Sequence, residues 1–131
     1  MKLRALVIDD SRVMRAMVMQ SLQQTHLADF EFTEAVDGAD ALQKFNPKKT
    51  DIVFADWNMP NMTGIEFVRE VRSNGKTEHI PIIMVTSEKT VSKVEEALDQ
   101  AGATMFISKP FTVDYLLKKL GPVIDDLEQR H

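Results

Sequence analysis

Short apolar runs alternate along this chain with longer segments of helical periodicity, and the alternation restricts the fold more than any other feature. Each run has the length of a β-strand, and three of them are continuously apolar. The five runs are residues 3–8, 31–35, 52–55, 82–85 and 105–107. A continuously apolar strand is typical of a sheet that is covered on both faces. We therefore expect buried strands at the centre of the molecule.

Each run is followed by a segment in which apolar residues recur at intervals of three and four, as in an amphipathic helix. The segments are residues 13–22, 39–45, 65–71, 91–98 and 113–127. Five strand-then-helix units imply right-handed crossovers and a parallel sheet between two layers of helices, so the pattern predicts an α/β, doubly wound fold. In the last segment Gly121-Pro122 predicts a kink or a break, because proline lacks an N–H and clashes with the carbonyl of Lys118. We expect only residues 128–131 beyond this helix.

Length and charge narrow the class of protein. A chain of 131 residues is expected to form one domain, residues 1–131. Sixteen Lys and Arg against twenty Asp and Glu, with no basic block, disfavour nucleic-acid binding.

No apolar run is long enough to cross a bilayer, and Asp9 and Asp10 interrupt the first run too early for a signal peptide. Without cysteine there are no disulfides or thiolate sites, which permits a reducing cytosol. We expect a soluble, cytoplasmic protein.

The residues that follow the predicted strands carry the chemistry, because ligands of open α/β sheets bind beyond the carboxyl ends of the strands. Three carboxylates, one ammonium and two hydroxyls are expected at this edge. They belong to Asp9, Asp10, Asp56, Lys109, Thr86 and Ser87. Taken singly, each residue also fits a helix cap or a turn. Their joint occurrence at the strand ends favours a functional site.

A cluster of three carboxylates needs a cation, since like charges raise one another's pKa. A hard divalent metal that retains several waters suits such oxygen ligands, which indicates Mg²⁺. Carboxylates, a metal, Lys109 and Thr86 together form a set of groups suited to phosphoryl transfer. We choose Asp56 as the nucleophile, which would form an aspartyl phosphate, because it ends the central strand.

The motifs Asp9-Asp10, Asp56-Trp-Asn-Met-Pro60, Thr86 and Lys109-Pro110-Phe111 together resemble the receiver domain of bacterial two-component response regulators. The resemblance covers roughly residues 3–125, and it is strongest to stand-alone, CheY-like receivers of chemotaxis. It implies a flavodoxin-like sheet of strand order 2-1-3-4-5 with five helices.

The resemblance also implies a role for each motif. Asp56 would accept a phosphoryl group from a sensor histidine kinase. Mg²⁺ would be bound by Asp10, Asp56 and the backbone carbonyl of Asn58, with Asp9 helping through water. Lys109 would pair with the phosphoryl oxygens, and the Lys109-Pro110 peptide bond would be cis. Asn58 and Glu88 would tune the lifetime of the phosphoryl group.

A switch is implied as well, in which Thr86 turns toward the phosphoryl group and Phe106 rotates inward. Phe106 stands where chemotaxis receivers carry a tyrosine, so it has no hydroxyl to offer a partner. The partner would be a motor switch, a kinase array or a phosphotransfer protein. The candidate surface for it consists of Lys89, Lys93, Glu96, Phe106, Val113 and Tyr115.

Three alternatives remain open. One is a phosphorelay intermediate or phosphate sink within the same family. Another is a Mg²⁺-dependent phosphohydrolase with an aspartate nucleophile, which Asn58 disfavours because that class needs a second acid two residues after the nucleophile. A flavodoxin-like cofactor carrier is disfavoured because Asp9 and Asp10 would repel a phosphate. We therefore expect a signalling protein rather than an enzyme.

Overall fold

The structure, a computed structural model, describes residues 1–57, 59, 61–87, 98–99 and 101–130. Within these residues there are five strands and four helices. The strands are β1 (Lys2–Ile8), β2 (Asp29–Ala35), β3 (Ile52–Asp56), β4 (Ile82–Thr86) and β5 (Met105–Ser108). The helices are α1 (Arg12–Gln24), α2 (Gly38–Lys44), α3 (Gly64–Ser73) and α4 (Val113–Arg130). The predicted helix over 91–98 falls almost entirely on residues outside this description.

All strand pairs are parallel, and the sheet has the order β2-β1-β3-β4-β5. The α/β, doubly wound prediction is therefore confirmed, as is the strand order that the resemblance implied. In this order β3 lies in the middle of the sheet, with β1 on one side and β4 on the other. The carboxyl ends of β1, β3 and β4 are thus neighbours at one edge.

Apolar side chains form two layers, one on each face of the sheet. The first joins β1, β3 and β4 to α2 and α3, with Phe67 and Val68 of α3 fully buried. The second joins the opposite face to α1 and α4, with Leu22 and Leu120 fully buried. Because each face is covered, residues 52–55 and 82–85 are buried at every position. The continuously apolar runs correspond to this double cover.

The starts of the helices are set by capping side chains. Ser11 Oγ accepts the N–H of Met14 at the start of α1, and Asp37 Oδ1 accepts the N–H of Asp40 in α2. Thr63 and Glu66 form a reciprocal capping box at the start of α3. Since Ser11 caps α1, the carboxylates of Asp9 and Asp10 are left for other contacts.

Of the kink or break predicted at Pro122, the break is wrong, because α4 continues through it from Val113 to Arg130. Pro122 and Lys118 are both exposed, so water can solvate the carbonyl that has lost its helical donor. Leu120, Ile124 and Leu127 stay buried on either side of the proline and hold the helix against the sheet. The helix also ends later than expected, at Arg130. Neither α4 nor any other described helix has the length and apolar content needed to cross a membrane.

Candidate functional site

The register of the sheet brings three aspartates together at the carboxyl ends of the strands. Ile8 of β1 lies opposite Ala55 of β3, so the residues that follow, Asp9 and Asp56, are adjacent. Asp10 is the next residue along the chain. One carboxylate oxygen from each aspartate lies within 4.8 Å of the other two. We call Asp9, Asp10 and Asp56 the acidic cluster.

Lys109 bridges two members of the acidic cluster. Its Nζ lies 3.3 Å from Asp9 Oδ2 and 3.2 Å from Asp56 Oδ1. The side chains of Lys109 and Asp56 are only 17% and 13% exposed, so these ion pairs are shielded from water. The backbone also fixes Lys109, because its N–H donates to the carbonyl of Thr86 at 2.9 Å. The ammonium group therefore lies at the acidic cluster and is tied to the end of β4.

Asp56 is in an environment that opposes its ionisation. Burial raises the pKa of its carboxyl, and the charge of Asp9 raises it further, while Lys109 lowers it. The net pKa shift is upward from the ordinary value of 3.8. One lysine thus offsets only part of the effect of burial and of the neighbouring carboxylate. A further cation at this site would favour the charged form.

The donor set fits a hard cation. The acidic cluster supplies oxygen ligands, two of its members are largely buried, and Asp10 is open to solvent. Mg²⁺ binds through a few carboxylates and keeps several waters, which an open side of the site permits. The third predicted ligand, the backbone carbonyl of Asn58, lies outside the described residues.

The start of α3 lies very close to the end of β3, beside Asp56. The N–H of Gly64, the first residue of α3, donates to the carbonyl of Trp57 at 3.1 Å. A Cβ at Gly64 would lie 2.1 Å from the carbonyl oxygen of Asp56. Only glycine fits here, so α3 can begin directly against the end of β3. The peptide after Asp56 is held in place by this contact.

The predicted switch residues lie on neighbouring strands. Thr86 is buried at the end of β4, and Phe106 of β5 is partly buried against the α2–α3 layer. The Lys109-Pro110 peptide bond is cis, as the resemblance implied. Ser87 follows Thr86 and is exposed. Glu88, Lys89, Lys93 and Glu96 lie outside the described residues, whereas Val113 and Tyr115 are half-buried at the start of α4.

Two residues near the site, Arg15 and its partner Glu34, were not identified from the sequence. Arg15 of α1 is buried, and it donates from Nε to Glu34 Oε1 at 2.9 Å and from Nη1 to the carbonyl of Asp9 at 2.7 Å. A signal was present, because residues 15, 18 and 22 share the spacing of one helix face, and the latter two are buried and apolar. An arginine on a buried face requires a polar partner.

Comparison with known proteins agrees with this geometry. The family model described as the response regulator receiver domain matches residues 5–121. The chain is 36% identical to the chemotaxis protein CheY of Pseudomonas aeruginosa over 126 residues, which cover 94% of this chain and 97% of that protein. It is 38% identical to chemotaxis protein CheY1 of Helicobacter pylori over 123 residues, 93% of this chain and 97% of that protein.

A solved structure shows the same likeness in three dimensions. Chemotaxis protein CheY4 of Vibrio cholerae superposes with a TM-score of 0.81 at 38% sequence identity, covering 94% of this chain and 99% of that one. The family match, the relatives and the fold therefore agree over nearly the whole chain. This chain belongs to the response regulator receiver domain family.

Proposed function

We propose that Asp56 accepts a phosphoryl group from a sensor histidine kinase, and that the phosphorylated chain binds another protein to pass on the signal. The observation that carries the proposal is the meeting of the acidic cluster with Lys109, which pairs with both Asp9 and Asp56. Asp56 is also the last residue of the central strand, so it lies at the carboxyl-terminal end of the sheet. We place the chain in the cytoplasm.

Asp10, Asp56 and the carbonyl of Asn58 would hold Mg²⁺, with Asp9 contributing through water. When bound, Mg²⁺ supplies positive charge that balances the carboxylates and the incoming phosphoryl oxygens. Lys109 supplies a second positive charge, with its Nζ 3.2 Å from Asp56 Oδ1. Both charges favour the ionised form of Asp56, which is the nucleophilic form.

The transfer exchanges one bond to phosphorus for another. A carboxylate oxygen of Asp56 attacks the phosphorus of a phosphohistidine, and the phosphorus–nitrogen bond breaks. The imidazole keeps the electron pair of that bond and takes a proton from water. Asp56 becomes an acyl phosphate, and Lys109 pairs with the phosphoryl oxygens where they develop charge.

Phosphorylation would favour a conformer in which Thr86 and Phe106 are drawn inward. Thr86 lies at the end of β4, and its carbonyl accepts the N–H of Lys109, so a change at Lys109 is transmitted to β4 directly. Phe106 follows on the neighbouring strand, where Met84 of β4 is its register partner. The surface near Phe106, Val113 and Tyr115 would then bind the partner by population shift.

The relatives named as chemotaxis proteins favour an output on a motor switch or a kinase array. A second output is favoured by Phe106, which lacks the hydroxyl of the tyrosine that chemotaxis receivers carry there. In that case the chain would pass the phosphoryl group to a phosphotransfer protein, as a relay intermediate or phosphate sink. Retention of the phosphorylated chain on immobilised phosphotransfer protein, or on motor protein, distinguishes the two.

Phosphorylation is tested by incubation with a small phosphodonor and Mg²⁺, followed by intact mass measurement. We expect the wild type to gain the mass of one phosphoryl group and Asp56→Asn to gain none. Asp51→Asn is the matched control, because Asp51 is a buried aspartate that directly precedes β3, at the end opposite to Asp56. Asp51→Asn should be phosphorylated like the wild type. An adduct that persists in Asp56→Asn would place the phosphoryl group on another residue.

A further inference from the structure

Arg15 connects three elements near the acidic cluster, although it belongs to none of the motifs that define the family resemblance. It projects from α1, and its side chain is only 11% exposed. Its guanidinium reaches Glu34 in β2 at 2.9 Å and the carbonyl of Asp9, which follows β1, at 2.7 Å. A planar guanidinium with several donors can make both bonds at once.

A bond to the carbonyl of Asp9 can fix the orientation of the backbone at the acidic cluster. It belongs to the peptide unit that joins Asp9 to Asp10, and a peptide unit is planar. A donor that fixes this carbonyl therefore fixes the plane from which the Asp10 backbone departs. The other polar groups of Asp9 are also engaged: its N–H donates to Ala35, and its two carboxylate oxygens accept from Ser11 and Lys109.

The guanidinium would be costly in this place without a counter-charge, because a buried cation needs a partner. Glu34 supplies the charge from the next strand, and the carbonyl of Glu34 in turn accepts Lys44 Nζ at 2.7 Å. A series of polar contacts thus runs from Lys44 of α2 through Glu34 and Arg15 to the Asp9 carbonyl. Arg15 and Lys109 hold Asp9 at different atoms, the backbone carbonyl and the carboxylate.

We propose that Arg15, held by Glu34, is a positioning residue that orients the Asp9–Asp10 peptide for binding of the divalent cation. The inference rests on the proposed function, since it assumes that the acidic cluster binds Mg²⁺. Arg15 contacts no substrate and no metal; it acts through the backbone of Asp9. Groups that orient metal ligands in this way typically change metal affinity by 10–100-fold.

The chain contains a matched control for a purely structural role. Arg4 of β1 also pairs with a carboxylate, since its Nε lies 3.1 Å from Asp51 Oδ2. Both pairs tie an arginine to an acid near the end of a neighbouring strand. The Arg4 pair, however, lies at the amino end of β3 and the Arg15 pair at the carboxyl end of β2. Loss of either pair should affect folding, but only loss of the second should affect the metal.

The test is titration of the full chain with MgCl₂, followed through the fluorescence of Trp57, together with urea unfolding of each variant. We expect Arg15→Met to weaken Mg²⁺ affinity about tenfold, at the lower end of the range for such groups. Arg4→Met should bind Mg²⁺ within twofold of the wild type. Glu34→Gln leaves the guanidinium charge unbalanced beside the cation site, and it should weaken Mg²⁺ affinity at least threefold.

The outcomes separate the two claims. A wild type that gives no saturable Mg²⁺ response overturns the metal site itself and this inference with it. A wild type that binds Mg²⁺ while Arg15→Met binds equally well overturns the inference alone, as does an equal loss in Arg4→Met. If Arg15→Met does not fold, Glu34→Gln decides, and unchanged Mg²⁺ affinity in that variant overturns the positioning role.

Discussion

At the scale of single residues, Asp56 shows a conflict between burial and charge. As the proposed nucleophile it would have to be ionised, yet burial and the nearby Asp9 raise its pKa. Lys109, 3.2 Å away, relieves only part of this. The same imbalance that disfavours the bare carboxylate makes the site receptive to a divalent cation, which would add the missing positive charge.

The stability of the metal-free protein should depend on pH through Asp56. Because the pKa is raised on folding, the folded state binds more protons than the unfolded state above pH 3.8, and stability falls as the pH rises through the folded pKa. In EDTA at neutral pH, Asp56→Asn should therefore have a larger free energy of unfolding than the wild type. Urea unfolding at several pH values measures the difference, which should shrink as the pH falls toward 4. A less stable Asp56→Asn at neutral pH would contradict this electrostatic account.

Residues of the site differ in how far the sequence could predict their place. Asp9, Asp56 and Lys109 directly follow or end strands, so a parallel sheet predicts that they lie at the same end of the sheet. That they meet depends also on the strand order, which the family resemblance implied. Arg15 shares the helical spacing of Val18 and Leu22, but Val13 and Met17 suggest a different apolar face of α1, so periodicity alone did not single it out. In the structure Val13 and Met17 are 68% and 52% exposed, whereas Arg15 is 9% exposed. The polar partners that accompany its burial are the Asp9 carbonyl, which follows β1, and Glu34 in β2, and only the assembled fold places both beside Arg15.

At the scale of elements, the contact between β3 and α3 connects the fold to the site. α3 begins with Gly64, whose backbone lies against the carbonyl of Asp56. The capping box of Thr63 and Glu66 fixes the first turn of α3 at this point. The position of the Asp56 peptide thus depends on a helix start that tolerates no side chain.

Replacing Gly64 by alanine tests this dependence. The added Cβ would meet the Asp56 carbonyl oxygen at 2.1 Å, so the backbone of β3 or α3 must shift. We expect a loss of about 1–3 kcal/mol in the free energy of unfolding, as for other overpacked sites, and weaker Mg²⁺ binding. Gly121→Ala is the matched control, because nothing lies within 4 Å of a Cβ there. In α4 this change should stabilise the protein by up to about 1 kcal/mol. Equal effects of the two changes would contradict the account.

Elements were predictable to different degrees. The strands and the helix starts follow from apolar runs and capping residues, which act over a few neighbouring positions. The continuity of α4 was not predictable from Pro122, because it depends on which face of the helix is buried. Leu120 and Ile124 pack against the sheet while Pro122 faces solvent, and this arrangement becomes known only when the layers are assembled.

At the scale of the whole molecule, the apolar core and the candidate site occupy different parts of the sheet. Both faces of the sheet are covered by helices, and the acidic cluster lies at one edge, beyond the carboxyl ends of β1 and β3. The alternation of apolar runs predicts this architecture. The strand order was implied by the family resemblance rather than by periodicity, because periodicity does not specify which strands are neighbours.

Mg²⁺ should bind the folded state and not the unfolded state, so it should raise the free energy of unfolding of the whole chain. At a free concentration 100 times the Kd the expected gain is about 2.7 kcal/mol. Asp10→Asn should lose most of this gain, since it removes the exposed member of the acidic cluster. Thermal unfolding with and without MgCl₂ measures the effect, with NaCl of equal ionic strength as the control. A gain that is the same in Asp10→Asn and the wild type would mean that Mg²⁺ binds elsewhere.

The central claim is that the acidic cluster and Lys109 form one site, in which Asp56 carries the phosphoryl group. The most direct test is to reduce the phosphorylated wild-type protein with borohydride, which converts an aspartyl phosphate to homoserine, and to map the product by peptide mass spectrometry. The account predicts homoserine at position 56 after treatment with phosphodonor and Mg²⁺, and none when Mg²⁺ is omitted. Homoserine at another aspartate, or a phosphorylated protein without any homoserine, would contradict it.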